Sequence, residues 1–495
     1  MLSLSSSSFG SKSDSPSDAA SLTSITSLAR TPPYTPSPRP VDLSGKDIAS
    51  EHHCVLTLQL PRKAGYIASL LTSDSQGAYL YGALSSSSTI YVWSIDVLNK
   101  GHSLSGGSIP GKVTRLELGS NSARVGRGGL KAVAVVGEHR LVTAHDHDSK
   151  LRIWEKCTSQ GNSGNIVHVP ETATSQVPGL SYHSRFKLLC TMPTIKDYLR
   201  TFIVDRKYVQ ARRHHSRLWI EHVDTISALA VSADGGYLYS ASWDRSIKVW
   251  KLPSFKCVES MQNAHDDAIN CMILCDDDRY LYSGSADSKI KVWSRLHTKN
   301  MCAHAGQNQT VQRNGRMSLL GKQAAPFHLL ISTLEGHKSA VNALALSPRK
   351  NVLYSGAGDK AILVWEIRQH SAAHMVLTGK LRGHRKAILC LATIACSVRN
   401  GNEVLEQHII CSGSADKTVR IWRRIDAEIS SDIKDNAAMH RKYQCLAVLA
   451  GHSAPVKSLC LYSIQSSSYI YIYSASLDKT VKVWQMLYPT SLGIL

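Results

Sequence analysis

Serine, histidine and aspartate recur together in this chain, the residue types of a nucleophile, its general base and the group that orients the base. The sets are His222, Ser240 and Asp244; His265, Ser283 and Asp287; His337, Ser355 and Asp359; His384, Ser412 and Asp416; and His452, Ser474 and Asp478. A hydrolase of this kind needs one accessible hydroxyl beside an oxyanion hole. Five equivalent triads do not suit one active site. Each is also followed by a tryptophan, Trp250, Trp293, Trp365, Trp422 or Trp484, and Asp leads Trp by the same interval every time. The sets therefore mark a repeat, and no catalytic residue is assigned. His145–Asp148 reads HDHD and could bind a metal on paper, but the repeat register makes Asp148 a turn residue. Twelve cysteines stand singly without a paired zinc spacing, and no Walker loop or dinucleotide fingerprint occurs. Neither a metal nor a cofactor is expected.

The elements that carry these residues are copies of one stretch. LYSASWDRSIKVWK, Leu238 to Lys251, runs apolar to Ser240, turns at Asp244 and ends on an alternation closed by Trp250. LYSGSADSKIKVW, LYSGAGDKAILVW, CSGSADKTVRIW and YSASLDKTVKVW repeat it. Such a unit cannot bury its apolar faces alone, so the copies must stack. Seven repeats are read, at about 66–118, 130–192, 222–260, 265–333, 337–380, 384–448 and 452–488. CVLTLQL at 54–60 is strand-like but precedes them, and an open sheet edge is a liability. It is expected to close the ring as the outer strand of the last repeat, beside KVWQM.

The steps Gly336-His337, Gly383-His384 and Gly451-His452, with the Ser, Asp and Trp that follow them, resemble the WD40-repeat family over nearly everything after about residue 50. That resemblance implies an all-β fold, a seven-bladed WD40-type β-propeller over residues 50–488. It also implies an arrangement for the sets: Asp accepts from His, His bonds Ser, and Ser bonds the indole N–H. Buried polar groups have to be paired in some such way. The first two repeats depart. The second keeps Asp148 and Trp154 but places Ala144 at the serine position, and the first keeps Trp93 with Ser87 at the aspartate position. Both are expected to lack the full set and to open more easily.

Residues 1–49 are Ser/Thr/Pro-rich and aromatic-poor, a composition that cannot repay the entropy of ordering. A disordered N-terminal tail is expected, without a secretory signal. Long inserts at 94–112, 155–183, 294–325, 424–442 and 392–409 fall on one end of a propeller, called the bottom here. The top carries the links between repeats. Acidic Asp224, Asp266 and Asp267 follow the histidines of the third and fourth repeats; basic Lys338, Arg385, Lys386 and Lys457 follow those of the fifth to seventh. Trp243, flanked by Arg245, is expected at the top opening, exposed as an interface anchor or packed on the neighbouring turn. The link at 193–219 carries Arg206, Arg212 and Arg213 among interleaved aromatics. That strip reads three ways: a solvated linker, a docking site for protein, or a nucleic-acid or import segment.

Net charge is +20, from 57 Lys+Arg against 37 Asp+Glu, which suits a solvated basic surface or an acidic partner. The expected function is a non-enzymatic scaffold that presents its top face and rim to protein partners. KYVQARRHHSRLWIEHVDTISALAVS and LRGHRKAILCL resemble the JINGUBANG group of plant WD-repeat proteins. That resemblance implies a regulator acting with transcription factors or signalling proteins in cytoplasm and nucleus. The alternatives are a substrate receptor of a ubiquitin ligase, for which the tail shows no F-box, and a nucleic-acid or anionic-lipid binder through residues 196–217.

Overall fold

A computed structural model describes residues 52–60, 66–72, 79–85, 89–94, 114–117, 129–157 save 138 and 147, 185–200, 208–212, 215–296 save 276, 327–368 save 350, 371–400, 403–425, 442–463 and 469–487. The expected tail at 1–49 and most of the inserts at 94–112, 155–183, 294–325 and 424–442 lie outside the described residues.

In the repeated stretch Leu238, Tyr239, Ser240, Ala241 and Ser242 are all buried. A strand buried without alternation must be covered on both faces, which a lone sheet cannot provide. The chain answers this with sheets of four antiparallel strands stacked side by side. Among the described residues seven such sheets form, and their innermost strands are Ile67–Thr72, Leu130–Val136, Ile226–Val231, Ile269–Leu274, Val341–Leu346, Ile388–Asn400 and Val456–Ser463. Each packs on the innermost strands of the sheets before and after it, the last on the first. Apolar side chains fill the spaces between neighbours. Leu80 and Trp93 of the first sheet, for example, meet Tyr473, Val481 and Val483 of the last. His52–Gln59 lies antiparallel on Thr480–Leu487 as the outer strand of the last sheet. One sheet thus holds both ends of the described chain, and the edge of Thr480–Leu487 is covered at the join.

The expectation of a seven-bladed WD40-type propeller is corrected. Six sheets, the second to the seventh, are WD40-type blades, in which the indole of the third strand donates to a Ser or Thr hydroxyl of the second. The first sheet, Ile67 to Glu117, has four strands but not this bond. Its register sets Leu80 opposite Trp93, which puts Gly82 where the hydroxyl would stand. A Cβ on Gly82 would come within 2.7 Å of the Trp93 ring and 2.9 Å of the Ile67 side chain. The ring fills the space that a serine needs. Gly82→Ala is therefore expected to destabilise by about 1–3 kcal/mol through overpacking, read as a lower denaturation midpoint. An unchanged midpoint would mean that Trp93 yields freely.

Two further segments differ from the sequence reading. The insert at 392–409 is paired: it extends the first and second strands of the sixth sheet, Ile388–Asn400 with Glu403–Ser414, in a ladder that runs out to the pair Asn400–Glu403. The link at 193–219 carries a short helix, Ile195–Arg200, and a small hairpin of Tyr208–Arg212 with His215–Leu218. The Tyr198 hydroxyl ties that helix to Glu221, at the start of the third sheet. No helix among the described residues is long and apolar enough to cross a membrane.

Candidate functional site

Strand pairing brings each set together. In the sixth sheet the register places Ile410 opposite Trp422 and Ser412 opposite Arg420, so the hydroxyl and the indole share one face of the sheet. Trp422 Nε1–H donates to Ser412 Oγ at 2.9 Å, and Ser412 lies 2.8 Å from His384 Nε2. His384 Nδ1 is 2.8 Å from Asp416 Oδ2. The same oxygen takes the Arg385 backbone N–H at 2.9 Å, and Oδ1 takes the Thr418 N–H at 3.0 Å. A neutral imidazole with its proton on Nδ1 satisfies every one of these bonds: it donates to the carboxylate and accepts the serine proton.

The other four sets repeat the geometry. His222, His265, His337 and His452 each lie 2.8 Å from Ser240, Ser283, Ser355 and Ser474 respectively. Trp250, Trp293 and Trp365 donate to their serines at 2.9 Å, and Trp484 at 2.8 Å. Asp244, Asp287, Asp359 and Asp478 accept from the imidazoles at 2.8 to 3.1 Å. Burial pushes His222, His265, His337 and His452 below the ordinary imidazole value, more than their aspartates raise them. Burial would push the Asp244 and Asp416 carboxyls up, but their hydrogen bonds and the adjacent imidazole outweigh it and hold both far below the usual carboxylate range. Each serine hydroxyl is fully buried and committed on both sides. The sets are staples, unsuited to attack a substrate.

Sequence reasoning misplaced the second sheet. Leu141 pairs with Trp154, so Thr143 holds the serine position and Ala144 faces the other side. Thr143 Oγ1 accepts from Trp154 Nε1 at 2.9 Å and lies 3.2 Å from His145 Nε2. Of the two carboxylates in the HDHD stretch, Asp148 forms a 2.6 Å ion pair with Arg152 and Asp146 lines the axial cavity. Described residues form no cluster of three metal-ligating side chains. Burial pushes the thiols of Cys257, Cys271, Cys390 and Cys396 up to about 12, which keeps them protonated and inert.

The aspartates do a second job, because their backbone partners are the links that carry the candidate surface residues. Lys338 and Arg385 are held through their N–H groups by Asp359 and Asp416, while their side chains are exposed. Lys386 is exposed beside them, and its carbonyl accepts from Ser414 Oγ. Asp224, Asp266 and Asp267 are exposed on the third and fourth sheets. The links that follow the histidines are thereby split, acidic on the third and fourth sheets and basic on the fifth and sixth. Trp243 is 38% exposed, and the Lys131 ammonium lies 4.3 Å from its ring centroid. Arg245 is exposed in the left-handed turn position beside it, at φ 68. Lys457, grouped by sequence with the surface cations, is instead half-buried at the mouth of the axial cavity. Of the strip, Arg206 and Arg213 lie outside the described residues, and Arg212 is placed only as a strand position.

Comparison with known proteins places these sheets. A family model described as WD domain, G-beta repeat matches residues 215–251, 255–294, 329–366, 375–423 and 443–485. The matches cover the third to seventh sheets and neither of the first two. The chain is similar to WD repeat-containing protein pop2 of Schizosaccharomyces pombe, 30% identical over 166 residues, which are 32% of this chain and 22% of that one. An uncharacterized WD repeat-containing protein of the same organism is 22% identical over 276 residues, 51% of this chain and 63% of that one. Elongator complex protein 2 of Mus musculus is 30% identical over 139 residues, 26% and 16% of the two chains. In the first of these relatives the match spans only 22% of the length. Five matched repeats, each with the same bonded set, place this chain in the WD40-repeat family.

Proposed function

We propose that the protein is a non-enzymatic scaffold whose top face docks other proteins, with an acidic partner surface seated on the fifth and sixth sheets. One observation carries this reading. The buried sets fix the backbones of Lys338 and Arg385, and both residues are exposed on the surface. Side chains presented from a fixed backbone lose less entropy on binding than side chains of a loose loop. Lys386 adds a third cation at the same place, and Asp224, Asp266 and Asp267 on the adjoining sheets would repel the same partner and set its orientation. The JINGUBANG-like stretches support a finer reading, a plant regulator working with transcription factors or signalling proteins in cytoplasm and nucleus.

Affinity capture from cell extract tests the proposal, comparing wild type with Lys338/Arg385/Lys386→Glu and with Arg206/Arg212/Arg213→Glu, with and without nuclease. Specific proteins should survive nuclease on the wild type and leave the first variant. If both variants retain the same proteins, the top-face reading fails. If nuclease empties the wild type, the basic charge serves nucleic acid instead.

A further inference from the structure

In six of the sheets one residue is aimed into the axial cavity by a backbone irregularity. The pairing of each innermost strand with its neighbour slips just after its first residue: between Ile226 and Ala228, Ile269 and Cys271, Val341 and Ala343, Ile388 and Cys390, Val456 and Ser458, Leu130 and Ala132, and Ile67 and Ser69. A β-bulge leaves the extra residue out of the ladder and re-aims its side chain. The bulged residues Lys131, Ser227, Asn270, Asn342, Leu389 and Lys457 line a cavity of about 340 Å³ at the top end of the axis.

Chemistry around this collar is uneven. Ser227, Asn270 and Asn342 each donate to the first carbonyl of the next innermost strand, those of Ile269, Val341 and Ile388. That half of the collar is spent on joining sheets. On the other side Lys131 and Lys457 bring two ammonium groups to one cavity, against the single carboxylate of Asp146. Burial pushes the Lys131 ammonium below its ordinary value, Lys457 pushes it further down, and Asp146 opposes. Lys131 also rests on the Trp243 ring, a contact that orients the ammonium and leaves its N–H donors available. Two like charges held together in a half-enclosed space raise the energy of the empty site, and an anion between them removes that cost.

We propose that the mouth of the axial cavity is an anion-binding site that takes a phosphate group between Lys131 and Lys457. A phosphate suits it because it offers several acceptor oxygens and close to two negative charges at neutral pH. The cavity holds such a group but not a folded partner. The phosphate comes either as a free ion or as an ester on a polypeptide side chain that reaches into the mouth past Trp243. The site does not depend on protein docking at the fifth and sixth sheets, since neither lysine belongs to that patch.

The test uses the full chain, end-capped phosphoserine, inorganic phosphate and end-capped serine. Lysine acetylation rates, followed by mass spectrometry on the unaltered protein, should fall at Lys131 and Lys457 with either phosphate compound, and stay unchanged at Lys338 and with capped serine. Tighter binding of capped phosphoserine than of inorganic phosphate assigns the ester source; equal binding assigns the free ion. By calorimetry, Lys131→Met and Lys457→Met should each weaken binding about tenfold or more, the loss expected for one hydrogen bond to a charged group. Asp146→Asn should strengthen it. The proposal is overturned if millimolar phosphate leaves both lysines unprotected, or if Lys338 is protected equally.

Discussion

Acidification from pH 7 to pH 5 is expected to cut the stability of this protein. The slope follows from proton counting. His222, His265, His337 and His452 are pushed by burial below the ordinary imidazole value. In the unfolded chain each takes up a proton near pH 6.5, while in the folded chain each stays neutral to a lower pH. Between those values the unfolded state binds more protons, so stability falls as pH falls, by up to about 1.4 kcal/mol per unit for each histidine. The lowered aspartates act further down. Asp287, Asp359 and Asp478 contribute stability that is whole above their unfolded value of about 4 and disappears below it. Urea denaturation at several pH values reads the effect, and His452→Asn should reduce the slope by about one proton. A flat profile between pH 7 and pH 5 would mean that the imidazoles are not held neutral.

Asp416→Ala is expected to destabilise by about 3 kcal/mol. Its carboxylate accepts from His384 Nδ1, from the Arg385 and Thr418 backbones and, at 2.7 Å, from the Thr418 hydroxyl. Alanine strands several donors at once, and each buried orphan costs about 1–3 kcal/mol, reduced here by whatever water reaches the turn. Because the same carboxylate fixes the Arg385 backbone, the variant should also weaken docking at the sixth sheet more than its loss of stability accounts for. Asp416→Asn keeps one acceptor and should recover part of both losses. A denaturation midpoint equal to wild type would remove this set from the account.

The fixed Asp-to-Trp interval made five of the six WD40-type blades legible, because that interval spans one hairpin turn and one strand, and both are held to a single length by the buried bond. The sixth was hidden by one extra residue. Ser240 precedes Asp244 by four positions, whereas Thr143 precedes Asp148 by five. Counting back from Asp148 at the usual interval lands on Ala144, and a slip of one residue in a strand turns every side chain to the opposite face. In the first sheet a glycine gave no sign of occupying the hydroxyl position, since only the register shows that Trp93 fills the space above it. The long hairpin of the sixth sheet was readable but passed over. Gly401-Asn402 stands between strands that pair out to Asn400 and Glu403, a strong signal for a two-residue connection. The collar at the cavity mouth was not readable at all. A bulge breaks the alternation that tells inward from outward positions, so Lys457 passed for a surface cation.

The buried indole–hydroxyl bond, present in the second to seventh sheets and absent from the first, decides how firmly each sheet is held. Hydrogen exchange of the native protein, resolved by mass spectrometry strand by strand, tests this directly. The middle strands that carry the sets, such as Tyr237–Ser242, Val352–Ala357 and Tyr469–Ser476, should exchange only through global unfolding. Tyr79–Leu84 and Thr89–Ser94 of the first sheet should exchange through a local opening of lower free energy. Equal protection in all the sheets, or a second sheet that opens before the first, would contradict the account.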